Sequence, residues 1–224
     1  MTITVHDRAR LASDILIDLN AIHCSPEKPY ILTSGWASPV YVNCRRIISA
    51  TWQRRAIIQM AAEMVEKNGG CGRYDVVAGG ETAGIPFAAW IADYFYRPMI
   101  YVRKKSKGFG LGRQIEGELS QGQRVLFVED LMTDGASKIT FASSLREAGG
   151  AVSDVLVVFN YGIYPDTGKH LAEAGLSVMA LTDWRSTIEA AKLRGYFNAG
   201  QVKVVEAFLA DPAGWSRAHG GVSA

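Results

Sequence analysis

The amino-acid sequence predicts an α/β fold in which helices flank a central parallel sheet. From Thr51 onward, segments with helical periodicity alternate with short β-prone runs, which is typical of parallel βαβ units. The 224 residues are 48% hydrophobic, enough to bury one core without splitting into domains. We therefore predict a single domain over residues 1–224, with a small N-terminal hairpin or hood region over about 1–50 and a core over about 51–224.

The N-terminal region is predicted to hold one helix and one hairpin. Leu11, Ile15 and Leu19 fall on one helical face, so an amphipathic helix is expected from Asp7 to Asn20. The segment "PYILTSGWASPVYVN" then contains two β-prone runs separated by "SGWASP". This pattern indicates a small hairpin that is separate from the main sheet.

The core is predicted to alternate between helices and strands for most of its length. Its predicted elements are a helix over Thr51 to Asn68, a strand over Tyr74 to Ala78, a helix over about Thr82 to Tyr96, strands over Met99 to Val102 and Arg124 to Val128, a helix over Ser137 to Ala148, a strand at "VSDVLVVFN", a short helix near Leu171, a strand at "LSVMAL" and two C-terminal helices.

Composition and charge argue against several classes of protein. Lys plus Arg number 24 against 22 Asp plus Glu, so no nucleic-acid or membrane partner is expected. The first residues lack the apolar stretch of a signal peptide, and the longest apolar run falls short of the ~20 residues that span a bilayer. Three widely spaced cysteines without a CxxC indicate neither a disulfide framework nor a zinc site. A cytoplasmic location is therefore expected.

The chemistry is expected at three strand-to-helix junctions. In open parallel sheets, ligands bind outside the carboxyl ends of the strands. The junctions are "AGGETAGIP", "RKKSKGFGLG" and "EDLMTDGAS". They follow the three predicted strands that begin at Tyr74, Met99 and Arg124.

The third junction has the residues of a phosphate site. Free N–H groups and the positive end of the helix dipole at Thr133 to Ser137 can surround an anion. Gly135 and Ala136 let a phosphate approach closely, while Thr133 and Ser137 can add hydroxyl hydrogen bonds and Asp134 can cap the helix. A plain phosphate pocket does not need two preceding acids.

The adjacent acids Glu129 and Asp130 are explained if the ligand is a sugar phosphate. Ribose hydroxyls donate to carboxylates, and a 5-phosphate extends from the same sugar; Mg²⁺ could also offset the negative charge. The alternative is that the acids only end a strand and that Thr133 or Asp134 only caps the following helix. The apolar run before the acids and the small residues after them favour a binding site.

"VLFVEDLMTDGASK" resembles the phosphoribosyl pyrophosphate (PRPP) motif of type I phosphoribosyltransferases. Within that class, "LTSGWASPVYVNCR" is similar to the N-terminal hairpin of the orotate phosphoribosyltransferases, and "YVRKKSKGFGLGRQIEG" is similar to their mobile catalytic loop. With "GGETAGIPFA" between them, the motifs occur in the family's order. The resemblance implies a type I phosphoribosyltransferase-like central parallel sheet with an N-terminal hood.

The resemblance also implies roles for individual residues. Glu129 and Asp130 would bind the ribose 2- and 3-hydroxyls, and Lys107 would act with them in catalysis. The rest of the PRPP motif would bind the 5-phosphate end. Its residues are Leu131, Met132, Thr133, Asp134, Gly135, Ala136 and Ser137. Arg103, Lys104 and Lys107 would hold the pyrophosphate, with Lys105 a weaker candidate.

The base site, the cofactor and the assembly are likewise implied by the resemblance. Thr133, Tyr41 and Val42 would contact orotate. Mg²⁺ would be bound through PRPP, with no direct protein ligand. The catalytic loop would be shared between the subunits of a homodimer.

The sequence departs from the family's pattern at several positions. Phe109 stands where many members have a loop histidine, and Thr33 and Ala83 stand where lysines are common. "VFNYGIYPD" holds no counterpart of the arginine that binds orotate in the family. Arg45 and Arg185 are possible substitutes.

The activity implied by the resemblance is transfer of a 5-phosphoribosyl group from PRPP to orotate, which gives orotidine 5-phosphate and pyrophosphate in pyrimidine biosynthesis. Two alternatives stay open from sequence. One is a phosphoribosyltransferase for another base, such as a purine. The other is a PRPP-binding regulator without catalysis, which the substitution by Phe109 allows.

Overall fold

The computed structural model describes residues 5–32, 34–104 and 114–222. A six-stranded sheet forms the centre of the fold, with strand order β10-β9-β8-β5-β6-β7. The first five strands of that order are mutually parallel, and β7 pairs antiparallel with β6 at one edge. The strands of this sheet are β5 (Val76–Gly80), β6 (Met99–Val102), β7 (Ile115–Glu116), β8 (Arg124–Met132), β9 (Ala151–Asn160) and β10 (Ser177–Asp183). The predicted α/β fold with a central parallel sheet is confirmed.

Helices cover both faces of the sheet. They are α1 (Val5–Asp18), α2 (Thr51–Lys67), α3 (Gly84–Phe95), α4 (Ala136–Glu147), α5 (Thr167–Glu173), α6 (Trp184–Leu193), α7 (Ala199–Ala210) and α8 (Pro212–Ala218). The larger apolar cluster joins one sheet face to α1, α2, α3, α6 and α7, and the smaller one joins the other face to α4 and α5. No helix in the part of the chain that the structure describes is both long and apolar enough to cross a membrane.

Strand β8 shows how the sequence builds this two-sided sheet. Leu126 and Val128 belong to the larger cluster, while Val125 and Phe127 belong to the smaller cluster under α4. Successive side chains of a strand point to opposite faces, so a strand covered on both sides reads as a continuous apolar run. This is why "VLFV" is uniformly apolar.

The predicted strand over Arg124 to Val128 is too short. In the structure β8 continues to Met132, because its ladder with β9 extends to the pair Met132 and Asn160. The two acids therefore lie inside the strand and not after it.

The predicted N-terminal hairpin is in fact split into two ladders. β2 (Tyr30–Ile31) pairs with β3 (Ala37–Ser38), whereas β4 (Val40–Val42) pairs with the earlier β1 (Ile22–Cys24). Pro39 separates β3 from β4 and has no N–H to donate to a ladder. Both ladders are separate from the main sheet, as predicted.

The C-terminal segment forms three helices where two were predicted. Asp211 ends α7 and begins α8, and its side chain accepts a hydrogen bond from Gly214 N while Pro212 occupies the first turn. Proline at that position cannot continue α7 but readily starts a new helix. The extra helix brings the chain back to the N-terminal region.

Ser216 of α8 ties the C-terminal segment to strand β3. Its buried hydroxyl accepts a hydrogen bond from Ala37 N at 2.9 Å and donates to Val222 O. The Val222 amide in turn donates to Gly35 O at 3.0 Å. These bonds link residues far apart in sequence and fix the hairpin against the core.

We expect Ser216→Ala to lower the free energy of unfolding by about 1–3 kcal/mol, because the buried Ala37 N–H loses its acceptor. Urea denaturation should show a lower midpoint with an unchanged slope. The matched control is Ser143→Ala on the exposed face of α4, which should change stability by no more than about 0.5 kcal/mol. Equal midpoints for the two variants would contradict the assigned role of Ser216.

Candidate active site

The three junctions predicted from sequence meet at one edge of the sheet. They follow β5, β6 and β8, and these strands are neighbours in the order β8-β5-β6. Gly80 at the end of β5 pairs with Val102 at the end of β6, so the junctions that follow these two strands start side by side. The carboxyl edge therefore collects side chains from segments that are remote in sequence.

Glu129 and Asp130 are buried near the carboxyl end of β8, with relative exposures of 5% and 7%. Their carboxyl groups lie close together, because each one shifts the pKa of the other through a hydrogen bond between the two side chains. Glu129 lies on the side of α4, where Lys138 Nζ is 3.8 Å from its Oε1. Asp130 lies on the side of the 3₁₀ turn Cys44–Ser49, since the charge of Arg45 acts on it.

Burial of this acid pair shifts both carboxyl groups in the same direction. Loss of water raises the pKa of Glu129, and the charge of Lys138 opposes that shift. The pKa of Asp130 is also raised by burial and lowered by Lys138, with a smaller lowering by Arg45. Two cations are thus set against two carboxylates, which limits the cost of burying the acids.

Two glycines make room for the Glu129 side chain. A Cβ on Gly80 would lie 2.1 Å from Glu129 Oε1, and a Cβ on Gly84 would lie 3.2 Å from Glu129 Cδ. Gly80 ends β5 and Gly84 begins α3. The segment "GGETAG" therefore leaves a gap that the first acid of the pair fills, a function that sequence reasoning did not assign to it.

The small loop after β8 leads directly into α4. Gly135 adopts a φ of +83°, a conformation that side chains with a Cβ rarely adopt, and α4 begins at the next residue. The N-cap residue is Gly135 and not Asp134, but Asp134 Oδ1 accepts a hydrogen bond from Ala136 N at 3.1 Å and so bonds to the first turn from one residue further back. Ala136 and Ser137 are exposed, which leaves the positive end of the helix open to an anion.

Leu131 and Met132 lie within β8 and connect the acids to this loop. Met132 is 1% exposed, and its side chain packs in the smaller apolar cluster. Its carbonyl accepts a hydrogen bond from Tyr161 N at 2.8 Å. Met132 therefore fixes the start of the loop through its buried side chain and its backbone carbonyl.

The described residues of the basic junction are anchored by hydrogen bonds and an ion pair. Arg103 N donates to Gln114 O at 2.9 Å, and the Arg103 guanidinium lies 3.5 Å from the Glu116 carboxylate. Lys104 N donates to Glu81 Oε2 at 2.8 Å, which joins this segment to the turn after β5. Lys105, Lys107 and Phe109 lie outside the described residues.

The predicted base contacts lie on strand β4. Val42 is buried in the larger apolar cluster, whereas Tyr41 is half-buried and its ring centroid lies 5.5 Å from that of Tyr30. The two side chains therefore point to opposite faces of the strand, and only one of them can lie against a given face of a ligand. Arg45 donates to the Tyr41 hydroxyl at 2.7 Å.

Sequence reasoning missed an aromatic group at the carboxyl end of β9. Tyr161 and Tyr164 stack with centroids 6.1 Å apart, and Tyr164 meets Trp36 edge-on at 4.9 Å. Within the described ranges the buried Tyr164 hydroxyl has no hydrogen-bond partner. Burial and the nearby charge of Asp134 raise the pKa of Tyr164. The aromatic residues of "VFNYGIYPD" are the feature of the sequence that could have indicated this group.

Lys138 was also missed, although it closes the motif "EDLMTDGASK". It is 6% exposed, and its ammonium donates to Ser137 Oγ at 3.3 Å besides facing Glu129. A lysine in the first turn of a helix looks in sequence like an exposed charge. Only the packing of α4 on β8 buries it.

Comparison with known proteins agrees with this geometry, although no family model matches the chain. A curated orotate phosphoribosyltransferase from Rhizobium rhizogenes (strain K84) is 43% identical over 223 residues, which are 98% of this chain and 96% of that protein. The crystal structure of orotate phosphoribosyltransferase from Aeropyrum pernix has a TM-score of 0.70 and 27% identity, and the match covers 83% of this chain and 99% of that one.

A third similar protein is Mycobacterium tuberculosis orotate phosphoribosyltransferase, solved in complex with PRPP. It has a TM-score of 0.58 and 28% identity, and the match covers 81% of this chain and 98% of that one. The fold and the acid pair with its small loop define a type I phosphoribosyltransferase, which confirms the class implied by the motifs. Within this class of enzymes the chain belongs to the orotate phosphoribosyltransferase family.

We expect Gly80→Ala to lower the free energy of unfolding by about 1–3 kcal/mol, because the new methyl group displaces the buried Glu129 carboxylate. The control is Gly72→Ala in the turn Cys71–Arg73, where an added Cβ meets no atom within 4 Å. Thermal and urea unfolding of both variants measure the difference. If Gly80→Ala is no less stable than Gly72→Ala, the close approach of Glu129 to β5 is wrong.

Proposed function

We propose that the chain transfers the 5-phosphoribosyl group of PRPP to orotate and releases orotidine 5-phosphate and pyrophosphate. The single observation that carries this proposal is the buried acid pair that lies directly before the small loop at the start of α4. Carboxylates accept from sugar hydroxyls, and the helix start accepts the phosphate on the same sugar. The family membership supports orotate as the base.

In this proposal the ribose and the 5-phosphate are held by β8 and the loop that follows it. Glu129 and Asp130 accept hydrogen bonds from the 2- and 3-hydroxyls of the ribose. Thr133 to Ser137 bind the 5-phosphate through backbone amides and hydroxyls, with Gly135 allowing its close approach. Leu131 and Met132 contribute through their backbone, since Met132 keeps its side chain in the core.

The pyrophosphate of PRPP is assigned to the basic junction. Arg103, Lys104 and Lys107 supply positive charge that matches the charge that develops as pyrophosphate leaves. Arg103 is held beside Glu116, so its guanidinium is positioned before a ligand arrives. Lys107 is included because of the family motif in which it stands.

Mg²⁺ is proposed to enter on PRPP, bound to the oxygens of the substrate. Among the residues that the structure describes, no group of three or more His, Cys, Asp or Glu is placed to hold a metal ion. Mg²⁺ prefers oxygen ligands and commonly stays with substrate phosphates. When bound, the ion would offset the negative charge of the pyrophosphate.

The reaction then needs positioning and charge stabilisation, with no covalent protein intermediate. Orotate N1 forms a bond to the ribose C1 as the bond from C1 to pyrophosphate oxygen breaks. The electron pair of that bond leaves with the pyrophosphate, which also takes up the N1 proton. Asp130 and Glu129 stabilise the positive charge that develops on the sugar in the transition state.

For the base we propose Thr133, Tyr41 and Val42 as contacts, with Arg45 facing the orotate carboxylate. Arg45 is held by Tyr41 and by a hydrogen bond from its Nε to Asn43 Oδ1 at 3.3 Å. Its charge also lowers the pKa of Asp130, which supports a position for Arg45 near the proposed ribose end. Arg185, the other candidate, makes no comparable side-chain hydrogen bond within the part of the chain that the structure describes.

We further propose that the enzyme acts in the cytoplasm as a homodimer whose catalytic loop serves the neighbouring subunit. The likeness of "YVRKKSKGFGLGRQIEG" to the mobile loop of the family supports the shared loop. Two hydrogen bonds join Arg103 to Gln114, one from Arg103 N to Gln114 O and one from Gln114 Nε2 to Arg103 O. They support a loop whose two ends are held together.

The proposal is tested by assaying PRPP and Mg²⁺ with orotate, uracil, adenine, guanine and xanthine. Only orotate should be converted efficiently. Asp130→Asn should lower kcat/KM by about 10²-fold or more, because the transition state loses a charged partner. Asp93→Asn on the exposed face of α3 is the control and should match the wild type. Conversion of a purine without orotate, or PRPP binding without turnover, would overturn the proposed function.

We expect Arg45→Met to lower the selectivity for orotate over uracil by about 10-fold or more, because uracil lacks the carboxylate that the guanidinium would bind. The ratio of the two kcat/KM values is the measurement. Arg55→Met on the exposed face of α2 should leave the ratio unchanged. An equal loss of kcat/KM with orotate and with uracil would show that Arg45 acts on the sugar and not on the base.

A further inference from the structure

The ammonium of Lys138 lies between the two ends of the candidate PRPP site. Lys138 Nζ is 3.8 Å from Glu129 Oε1 and donates to Ser137 Oγ at 3.3 Å. Glu129 belongs to the proposed ribose end, and Ser137 belongs to the proposed phosphate end. The lysine and glutamate side chains are 8% and 6% exposed, so solvent screens their interaction only weakly.

The charges around the acid pair are balanced by two cations on opposite faces of β8. Lys138 of α4 faces Glu129, and Arg45 of the 3₁₀ turn Cys44–Ser49 acts on Asp130. The thiol of Cys44 also lies on the Asp130 side, where the negative charge of Asp130 helps to raise the pKa of that thiol. Two carboxylates and two cations therefore share this part of the site. The ammonium of Lys138 is the cation that compensates the negative charge of Glu129.

Besides Lys138, the charged neighbour of Glu129 is Asp130, whose negative charge raises the pKa of Glu129 further. Gly80, Gly84 and Phe141 beside it carry no charge. Gly80 of β5 and Gly84 of α3 have no side chains, and a Cβ on Gly80 would lie 2.1 Å from Glu129 Oε1 and 3.2 Å from the ring of Phe141 on α4. The backbone amide of Asp130 donates to Glu129 Oε2 at 3.3 Å, a long hydrogen bond. A carboxylate in such surroundings favours its neutral form unless a cation stands beside it.

We infer that Lys138 is a positioning residue, whose buried ammonium keeps Glu129 ionised at the ribose end while it fixes Ser137 at the phosphate end. The inference rests on the proposed function, because it assumes that the ionised Glu129 accepts from a ribose hydroxyl. It adds a residue that directly follows the small loop and touches neither the base nor the pyrophosphate in that proposal. Loss of the cation should therefore change the pH dependence of the reaction.

The direction of that change follows from the charges. Burial raises the pKa of Glu129 and Lys138 lowers it, so removal of Lys138 raises this pKa further. At a given acidic pH a smaller fraction of Glu129 is then ionised. The acid limb of the kcat/KM profile for PRPP should move to higher pH, while its alkaline limb stays in place.

The experiment compares the pH profiles of kcat/KM for the wild type, Lys138→Met, Lys138→Arg and the control Lys169→Met, which removes an exposed lysine of α5. The acid limb of Lys138→Met should move up by about one pH unit or more, the shift typical of losing an opposite charge at this range. Lys138→Arg should keep the limb near its wild-type position, and so should Lys169→Met. Circular dichroism and urea unfolding check that each variant is folded.

Glu129→Gln provides a test that does not depend on the folding of the Lys138 variants. This substitution should lower the rate and move the acid limb away from its wild-type position, because Asp130 is then the one carboxyl group of the pair that titrates. In the Glu129→Gln background, Lys138→Met should cause a smaller shift than in the wild-type background, because only Asp130 then remains to respond to the lost charge. If Lys138→Met does not fold, Lys138→Gln, which keeps a polar group near Ser137, replaces it.

Three results would overturn the inference while the wild type still converts orotate. They are an unmoved acid limb in a folded Lys138→Met, an equal shift in Lys169→Met, and a wild-type acid limb in Glu129→Gln. Failure of the wild type to convert orotate would instead count against the proposed function.

Discussion

The whole arrangement depends on the burial of two adjacent carboxylates inside the central strand β8. Buried acids are costly unless cations and hydrogen bonds compensate them. Here the compensation comes from both faces of the sheet, from Lys138 on α4 and from Arg45 on the turn after β4. The acid pair therefore requires the N-terminal region and the α4 layer to be assembled together around β8.

This dependence explains several features that are otherwise unrelated. The glycines at the end of β5 leave the volume that Glu129 occupies. The αL conformation of Gly135 turns the chain at once into α4, which brings Lys138 back over the strand that it has just left. A short loop of small residues thus leaves the start of α4 exposed and also returns a cation to the acids.

Much of the fold could be predicted from the sequence because it depends on local periodicity. The alternation of helices and strands, the strand Met99–Val102 and the approximate starts of α2 and α4 need only patterns of apolar residues. The acids and the phosphate loop were predicted because their residue types are unusual for a plain turn. The resemblance to the phosphoribosyltransferases was confirmed by relatives that match nearly the whole chain.

Other features could not be predicted because they depend on contacts between distant segments. β8 runs on to Met132 because β9 pairs with it, and nothing local to "EDLM" indicates that partner. β4 pairs with β1, which precedes it by many residues, so the local hairpin pattern was misleading. The burial of Lys138 follows from the packing of a helix on a strand, and in sequence it is one lysine among many.

The C-terminal end of the described chain has a practical consequence. Val222 bonds to the backbone of Gly35, and Ser216 bonds to Ala37, so the last described residues are seated on the hairpin of the N-terminal region. Removing α8 and the residues up to Val222 would therefore also remove the bonds that hold this hairpin, which leads through Pro39 into strand β4 and Tyr41. A shortened chain would keep every residue of the candidate site and yet lose support for one strand of it.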